Sequence, residues 1–291
     1  MTSSRNRAAL PFTRPPSALL IEAQVRAALE EDLGLAGDIT SDLTVPEEAR
    51  VSARMVARRD GRIAGLICAE TAFRLVDPSI KFDIAAPDGS DATAGAEVAL
   101  VSGPARSILT AERVALNFLG PLSGTATLTA ALVKAVDGTK ARIVCTRKTL
   151  PGLRALQKYA VRCGGGFNHR FGLDDAAIIK DNHIQAAGGI APAIARLRAG
   201  LGHMVKIEVE VDRLGQLEEA LAEGVDTVLL DNMSLDDMRR AVALARGKAV
   251  LEASGNVTLL TVRAIAETGV DYISSGAITH SAPNLDIGLD F

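Results

Sequence analysis

Apolar runs alternate with amphipathic stretches through the second half of the chain. The runs are ARIVCT, AAIIK, VKIEVEV, VDTVLL, AVLEAS and VDYISS, and they end at Thr146, Lys180, Val211, Asp231, Ser254 and Ser275. Stretches with helical spacing of apolar residues follow most of them, as RLGQLEEALAEG follows VKIEVEV. This order predicts βα units and a parallel sheet. Because the runs are almost continuously apolar, six or seven units fit a TIM-like barrel, complete or incomplete.

The first half of the chain has a different pattern. Residues 18–32 show helical spacing, whereas residues 51–101 contain short apolar pieces separated by Gly, Pro and Asp, which predict strands and turns. Residues 110–136 predict a long helix with a kink or break at Gly120–Pro121. The polar, Pro-containing residues 1–17 predict a flexible arm.

Composition excludes several classes of function. A net charge of −3, 3% aromatic residues and no Trp argue against nucleic-acid binding. No apolar run reaches the ~18 residues of a membrane span, and the N-terminus lacks the apolar core of a secretory signal, so we expect a cytoplasmic protein. The three cysteines, Cys68, Cys145 and Cys163, form no CxxC pair, which argues against a disulfide framework and structural zinc.

Positive charge is concentrated in one part of this acidic chain. Residues 138–173 contain no Asp or Glu, but they contain His169 and eight Lys or Arg: Lys140, Arg142, Arg147, Lys148, Arg154, Lys158, Arg162 and Arg170. Arg147, Lys148 and Lys180 fall at the ends of predicted strands, where βα barrels have their active sites. Several cations together predict a ligand with more than one negative charge. We expect the three cations of the predicted helix, Arg154, Lys158 and Arg162, to form a solvated basic face.

Carboxylates and glycines complete the predicted rim. Glu210 and Asp231 end successive strands, where they could hold Mg²⁺ or pair with lysines, and alternation alone does not choose among Glu208, Glu210 and Asp212. Lys180 could form a Schiff base or act as a charge partner. Ser254-Gly255-Asn256 and Ser275-Gly276 end the last two runs and suit a phosphate bound by backbone N–H groups.

The motifs at these positions resemble those of the quinolinate phosphoribosyltransferase family. The resemblance extends through nearly the whole chain in family order, in GDITSDL (37–43), LTAERVALNFLGPLSGTATLT (109–129), TRKTLPGLRALQKYAVRCGGGFNHR (146–170), AIIKDNHI (177–184), EVEVD (208–212), LLDN (229–232), LEASGN (251–256) and SSGAITHSAP (274–283). It implies an N-terminal α/β sandwich over residues 18–117, joined by a C-terminal tail, 277–291. It also implies an incomplete, about seven-stranded βα barrel over residues 118–276.

The resemblance further implies a reaction and its residues. Quinolinate and 5-phosphoribosyl pyrophosphate (PRPP) would give nicotinate mononucleotide, CO₂ and pyrophosphate, in a homodimer or larger assembly with shared active sites. Quinolinate would be bound by Arg147, Lys148, His169, Arg170, Lys180 and a neighbouring subunit's Arg113. PRPP would be bound by Glu210, Asp231, Ser254, Gly255 and Gly276. Glu210 and Asp231 would bind Mg²⁺, and the catalytic groups would be Lys148, Glu210 and Asp231.

Four alternatives remain at the level of sequence. A molybdenum-associated relative with a similar barrel would lack the NHR and IKDNH patterns found at 168–170 and 180–183. A Schiff-base aldolase would use Lys180. A non-catalytic sensor would not need the carboxylates Glu210 and Asp231. A nicotinate-specific phosphoribosyltransferase would need fewer cations.

Overall fold

A computed structural model of the chain describes residues 13–291, and most of the predicted arm, residues 1–17, lies outside them. In this part of the chain the helices are α1 (Ala18–Leu33), α2 (Ile39–Thr44), α3 (Leu66–Val76), α4 (Ala105–Ala135), α5 (Arg154–Cys163), α6 (Asp181–Ala187), α7 (Ile190–Gly200), α8 (Leu214–Ala222), α9 (Leu235–Ala245), α10 (Val262–Glu267) and α11 (Ala277–His280). The strands are β1 (Arg50–Ala57), β2 (Gly61–Arg62), β3 (Lys81–Ile84), β4 (Asp91–Ala92), β5 (Glu97–Pro104), β6 (Arg142–Val144), β7 (Ala177–Ile179), β8 (Ile207–Val211), β9 (Thr227–Asp231), β10 (Val250–Ser254), β11 (Tyr272–Ser274) and β12 (Ile287–Asp290).

The described residues form two compact units. Unit 1 contains the chain up to Ala130 together with Thr149–Gly165 and Ile278–Phe291. Unit 2 contains Ala131–Lys148 and Gly166–Ala277. The boundary predicted at 117/118 therefore falls inside α4, a helix that contributes residues to both units.

Unit 1 contains an antiparallel sheet to which the C-terminal tail contributes. Its strand order is β12-β1-β5-β3, and β12 pairs with β1 from Arg54↔Asp290 to Ala57↔Ile287. An ion pair between Arg58 and Asp290 adds to this pairing. The return of the tail to the N-terminal sheet, implied by the family resemblance, is confirmed.

Helix α3 was not predicted, because its sequence was interpreted as part of a strand region. The chain turns into this helix at Gly65, which has a φ of 105°. Asp88, distant in sequence, accepts hydrogen bonds from the backbone N–H groups of Gly65 and Leu66 at 3.0 and 3.1 Å. This remote carboxylate satisfies N–H groups that a neighbouring side chain usually satisfies.

Helix α4 is continuous, so of the kink or break predicted at Gly120–Pro121 the break does not occur. Pro121 lies inside the helix, where it removes one backbone donor. The C-terminal tail contacts the helix here, and the N–H of Leu285 donates to the carbonyl of Gly120 at 3.1 Å. A Cβ on Gly124 would lie 2.1 Å from the carbonyl oxygen of Pro283, so only glycine allows this approach.

Helix α4 is also long and apolar enough to satisfy a composition test for membrane spans, a case that the search for apolar runs did not identify. Within its most apolar window, 56% of the residues are buried inside the structure. Leu119 and Leu122 of this helix belong to the hydrophobic core of unit 1. The helix is therefore explained as a core helix.

Unit 2 is built on the predicted parallel sheet. All six predicted strands form, in the order β6-β11-β10-β9-β8-β7. Phe167 makes an isolated parallel bridge to Val144 of β6 and takes the place of a short seventh strand. The prediction of an α/β fold with an incomplete, TIM-like βα barrel is confirmed.

One face of this sheet carries polar side chains and the other is apolar. Residues that are paired in register lie on the same face, and Glu210 and Glu252 are each paired with Leu229. Ser254 is paired with Asp231 in the same way. The alternate residues, such as Val209 and Ala253, are fully buried. Polar groups at the carboxyl ends of the strands therefore share one face and one edge.

Helix α5 does not have the solvated basic face that we predicted. Lys158 is fully buried, and Arg154 and Arg162 are partly buried. Six consecutive residues, 156–161, are buried, so the helix has no continuous exposed side there. This helix belongs to unit 1, whereas the other cations of the acid-free region from Arg147 to Arg170 belong to unit 2.

Candidate active site

Two guanidinium groups form the cationic part of the site. Arg170 follows the short Phe167 strand, and Arg147 follows β6. Burial lowers the pKa of Arg170, and the nearby charge of Arg147 lowers it further. Arg170 donates to the carbonyl of Ala176 at 2.6 Å, but its Nε is buried without a hydrogen-bond partner. A buried charged donor of this kind suits an anionic ligand.

The ring of His169 is held at both nitrogens. The backbone N–H of Arg170 donates to Nδ1 at 2.8 Å, so Nδ1 is an acceptor. The hydrogen of the ring is therefore assigned to Nε2, which lies 3.1 Å from Oε2 of Glu208. In this tautomer the ring of His169 connects Glu208 to the backbone of Arg170.

A second buried carboxyl, Glu252, approaches the same nitrogen of the His169 ring. Its Oε2 is 3.6 Å from Nε2 of His169, and its side chain has 6% exposure. Burial and the negative charge of Glu208 raise the pKa of Glu252 to about 7. The sequence analysis assigned no role to Glu252, because it appeared as one residue of an apolar run.

His169, Glu208 and Glu252 place three possible metal-donor atoms within 4.8 Å of one another. The ring nitrogen already donates to Glu208 at 3.1 Å, and the positive charge of Arg170 acts on the same carboxylate. The hydrogen bond between His169 and Glu208 and the charge of Arg170 therefore account for the cluster without a metal ion.

Lys180 forms an ion pair with Glu210 at the rim of the sheet. Glu210 is the penultimate residue of β8, and Lys180 directly follows β7. The backbone N–H of Lys180 donates to Nδ1 of His183 at 3.0 Å. Within β8, Glu210 is thus the carboxylate at the rim, and Glu208 lies deeper with 6% exposure. The side chain of Lys180 is 46% exposed, unlike the apolar setting that a Schiff-base lysine requires.

Two strained asparagines follow the next two strands. Asn232 follows β9 with a φ of 52°, and Asn256 lies beyond β10 with a φ of 50°. Asn256 donates to Oδ1 of Asn232 at 3.2 Å, and Asn232 donates to Oδ2 of Asp231 at 3.0 Å. Gly255 has a φ of 98°, and a Cβ there would lie 2.1 Å from Oδ1 of Asn232. These amides orient Asp231.

The remaining predicted residues lie at three places. Ser254 ends β10, and Gly276 directly precedes α11. Lys148 is exposed, and its backbone N–H donates to Oγ1 of Thr146 at 3.0 Å. Arg113 belongs to unit 1, where it lies exposed on α4.

The cations predicted for the site lie close to acids in space. Glu208 contacts His169 and attracts Arg170, and Glu210 pairs with Lys180. The interpretation of an unneutralised cation cluster is therefore corrected. Within unit 2, a limited number of carboxylates partly neutralise and orient the cations.

The fold and this site define a class of protein: a βα-barrel enzyme that binds an anionic substrate at the carboxyl ends of its strands. Family models identify the particular family. The model of the C-terminal domain of quinolinate phosphoribosyl transferase matches residues 125–290, and that of the N-terminal domain matches residues 38–123. The chain belongs to the quinolinate phosphoribosyltransferase family.

Individual relatives agree over almost the full length. The chain is 47% identical over 282 residues to a probable nicotinate-nucleotide pyrophosphorylase (carboxylating) of Synechocystis, covering 96% of this chain and 95% of the relative. It is 46% identical over 274 residues to the corresponding enzyme of Mycobacterium leprae, with 91% and 95% coverage. The structure of the nicotinate-nucleotide pyrophosphorylase from Francisella tularensis matches with a TM-score of 0.92 and 43% identity, covering 97% and 99%.

These matches decide among the alternatives drawn from the sequence. The predicted family and the predicted enzyme class, a phosphoribosyltransferase of NAD biosynthesis, are confirmed. The aldolase and sensor hypotheses find no support in the relatives described above.

Proposed function

We propose that the chain transfers the phosphoribosyl group of PRPP to quinolinate and releases CO₂ and pyrophosphate, giving nicotinate mononucleotide. The observation that carries this proposal is the family match over both domains. The geometry of unit 2 supports it, because partly buried guanidinium groups and oriented carboxylates meet at the ends of parallel strands.

Quinolinate has two adjacent carboxylates, and the cations of unit 2 match this charge. Arg147 and Arg170 bind the carboxylates, and the buried Nε of Arg170 supplies one of the donors. Lys148 and Lys180 add positive charge at the rim, and His169 contacts the substrate from its fixed orientation. Arg113 would reach the site of a neighbouring subunit, which agrees with its exposure on α4.

PRPP occupies the ends of β8 to β11. Ser254, Gly255 and Gly276 bind the 5-phosphate, since glycine lets backbone N–H groups approach an anion closely. Glu210 and Asp231 would hold the ribose and Mg²⁺. Two carboxylates at neighbouring strand ends fit this ion, because Mg²⁺ takes oxygen ligands and is usually bound by one or two carboxylates together with phosphates of the substrate. Bound Mg²⁺ would neutralise charge that develops on the pyrophosphate.

The transfer step forms one bond and breaks another. The ring nitrogen of quinolinate attacks C1 of the ribose, and pyrophosphate leaves with the electron pair of the broken C–O bond. Glu210 and Asp231 stabilise the positive charge on the sugar, and the orientation of Asp231 is set by Asn232.

Decarboxylation follows on the new pyridinium ring. The bond between the ring carbon and the adjacent carboxylate breaks, and the electron pair left on carbon is stabilised by the positive nitrogen. A proton from water then replaces CO₂. Lys148 orients the leaving carboxylate, so this step asks little more of the protein.

The assembly and the location belong to the same proposal. A homodimer or larger assembly with shared sites would give the exposed Arg113 a role. A cytoplasmic location is part of the same proposal. Relatives named for Arabidopsis and Nicotiana are chloroplastic and mitochondrial, so location differs among plant relatives.

Product analysis tests the reaction. The purified chain, incubated with PRPP, Mg²⁺ and quinolinate labelled in the 2-carboxylate, is expected to release labelled CO₂ and nicotinate mononucleotide in equal amounts. A chelator should stop both. If neither product forms when quinolinate and PRPP are both present at saturating concentration, the proposed function is contradicted.

A further inference from the structure

Glu252 is a buried titratable group that the proposed reaction does not use. It lies on β10, two residues before Ser254, and its side chain is therefore on the same polar face of the sheet. Its residue exposure is 4%, and its Oε1 is buried without a hydrogen-bond partner. Burial of a carboxyl in such a place lowers the stability of the fold unless an interaction with a neighbour or the substrate offsets the cost.

The surroundings of Glu252 contain another acid and only one ring hydrogen. Glu208 of β8 and Glu252 both approach Nε2 of His169, at 3.1 and 3.6 Å. Because Nδ1 accepts from the backbone of Arg170, Nε2 carries the single ring hydrogen, and Glu208 is the nearer acceptor. One donor does not neutralise two buried carboxylates, so an ionised Glu252 would be poorly compensated.

The elements packed around Glu252 supply few other charges. From β11 the hydroxyl of Ser274 lies beside it, and Tyr272 is its register neighbour. From β9 the register neighbour is the apolar Leu229. Beyond the cluster, Glu208 attracts Arg170, and the charge of Arg147 also acts on Arg170.

We propose that Glu252 is a positioning residue of the quinolinate site, which packs beside Glu208 against Nε2 of His169 and does so as an uncharged carboxyl. In this state Glu208 is the one ionised carboxylate of the pair beside Arg170, which Asp175 also attracts, and more positive charge remains for a dianion than if Glu252 were ionised as well. Through Nδ1 the fixed ring also holds the backbone of Arg170. This inference rests on the proposed function, since it concerns binding of the same substrate.

The pKa of Glu252 gives the direction of the expected pH effect. Burial and Glu208 raise it to about 7, so Glu252 is mostly protonated at pH 6 and mostly ionised at pH 8.5. Ionisation places a second negative charge near the site. We therefore expect quinolinate binding to weaken as the pH rises, by roughly three- to tenfold after solvent screening.

Direct titration of the purified full-length chain with quinolinate, at constant ionic strength from pH 6 to 8.5, tests the proposal. The Kd of the wild-type protein is expected to rise three- to tenfold, whereas Glu252→Gln should keep the low-pH Kd throughout. Glu267→Gln is the matched control, because Glu267 is exposed and pairs with Arg263 on the same helix. This control should keep the wild-type profile, and the KM for PRPP should follow the same pH curve in all three proteins.

Three results would overturn the proposal. A wild-type Kd for quinolinate that does not change with pH would overturn it. This result needs no variant, so it can be obtained even if Glu252→Gln fails to fold. A Glu252→Gln profile identical to that of the wild type would do so as well. Equal weakening of quinolinate and PRPP at every pH would indicate a merely structural role. Failure of the wild type to bind quinolinate at any pH would instead overturn the proposed function, and this inference with it.

Discussion

Arg147 lies close enough to Arg170 for its charge to lower the pKa of Arg170, an arrangement that costs free energy before a substrate binds. A dianion between them reverses this cost, because each guanidinium gains a carboxylate partner. At the scale of single residues, this exchange explains why two arginines occur where one would bind a single carboxylate.

Arg147→Ala tests this pairing. We expect the KM for quinolinate to rise roughly 10- to 100-fold, since a charge-assisted hydrogen bond contributes about 1.5–3 kcal/mol, and the KM for PRPP to change little. Steady-state kinetics with each substrate varied in turn gives both values. Arg263→Ala removes an exposed arginine of the same unit and should leave both unchanged. Equal losses for the two substrates would remove Arg147 from the quinolinate site.

Asp231→Asn tests the proposed metal site. The loss of one charged oxygen ligand should raise the Mg²⁺ concentration for half-maximal activity roughly tenfold or more. Asp236→Asn, at an exposed residue that pairs with Arg239, is the control and should titrate like the wild type. An unchanged magnesium titration of Asp231→Asn would exclude Asp231 as a ligand.

Sequence reasoning placed Arg147, Lys180, Glu210 and Asp231 at the rim because they end apolar runs, and the structure brings them to strand ends. It did not find Glu252. Within the run AVLEAS a single acid has no local signal, and its partners His169 and Glu208 come from other strands. Tertiary neighbours, which periodicity does not reveal, determine the state of such a group.

At the scale of elements, the turn after β10 shows how backbone conformation serves the site. Gly255 has a left-handed φ of 98°, and the side chain of Asn232 occupies the space in which a Cβ would lie. The neighbouring strand end is fixed in turn, since Asn232 orients Asp231. The two loops therefore act together on the proposed PRPP site.

Gly255→Ala should damage this arrangement. The variant is expected to lose roughly 1–3 kcal/mol of unfolding free energy and to show a several-fold higher KM for PRPP, with quinolinate binding unchanged. Gly247→Ala is the matched control, because Gly247 has a φ of 74° but open space around its Cβ position. Chemical denaturation and kinetics provide the measurements. Equal effects of the two substitutions would show that left-handed strain, rather than displacement of Asn232, is responsible.

The regular elements were predictable and the irregular ones were not. Continuous apolar runs such as VDTVLL identify buried parallel strands from the sequence alone. Helix α3 was missed because its N-terminus is satisfied by the distant Asp88. Helix α4 continues through Pro121 where the C-terminal tail packs against Gly120 and Gly124. In each case a contact from far along the chain overrides the local signal.

At the scale of the whole molecule, each unit has a separate function in this account. Unit 1 has its own core, built around residues such as Phe73 and Leu156, and contains the antiparallel sheet. Unit 2 contains the strand ends that carry every predicted site residue except Arg113. The sequence predicted that the site residues other than Arg113 belong to one βα pattern, which begins at residue 142, although the predicted boundary at 117/118 differs from that of the units.

Selection of a dianion is the central claim, and comparison of quinolinate with nicotinate tests it most directly. Nicotinate has the same ring and one carboxylate, so its use leaves one guanidinium without a partner. With PRPP saturating, we predict that kcat/KM for quinolinate exceeds that for nicotinate by roughly 100-fold or more. An equal kcat/KM for the two acids, or a preference for nicotinate, would contradict the account.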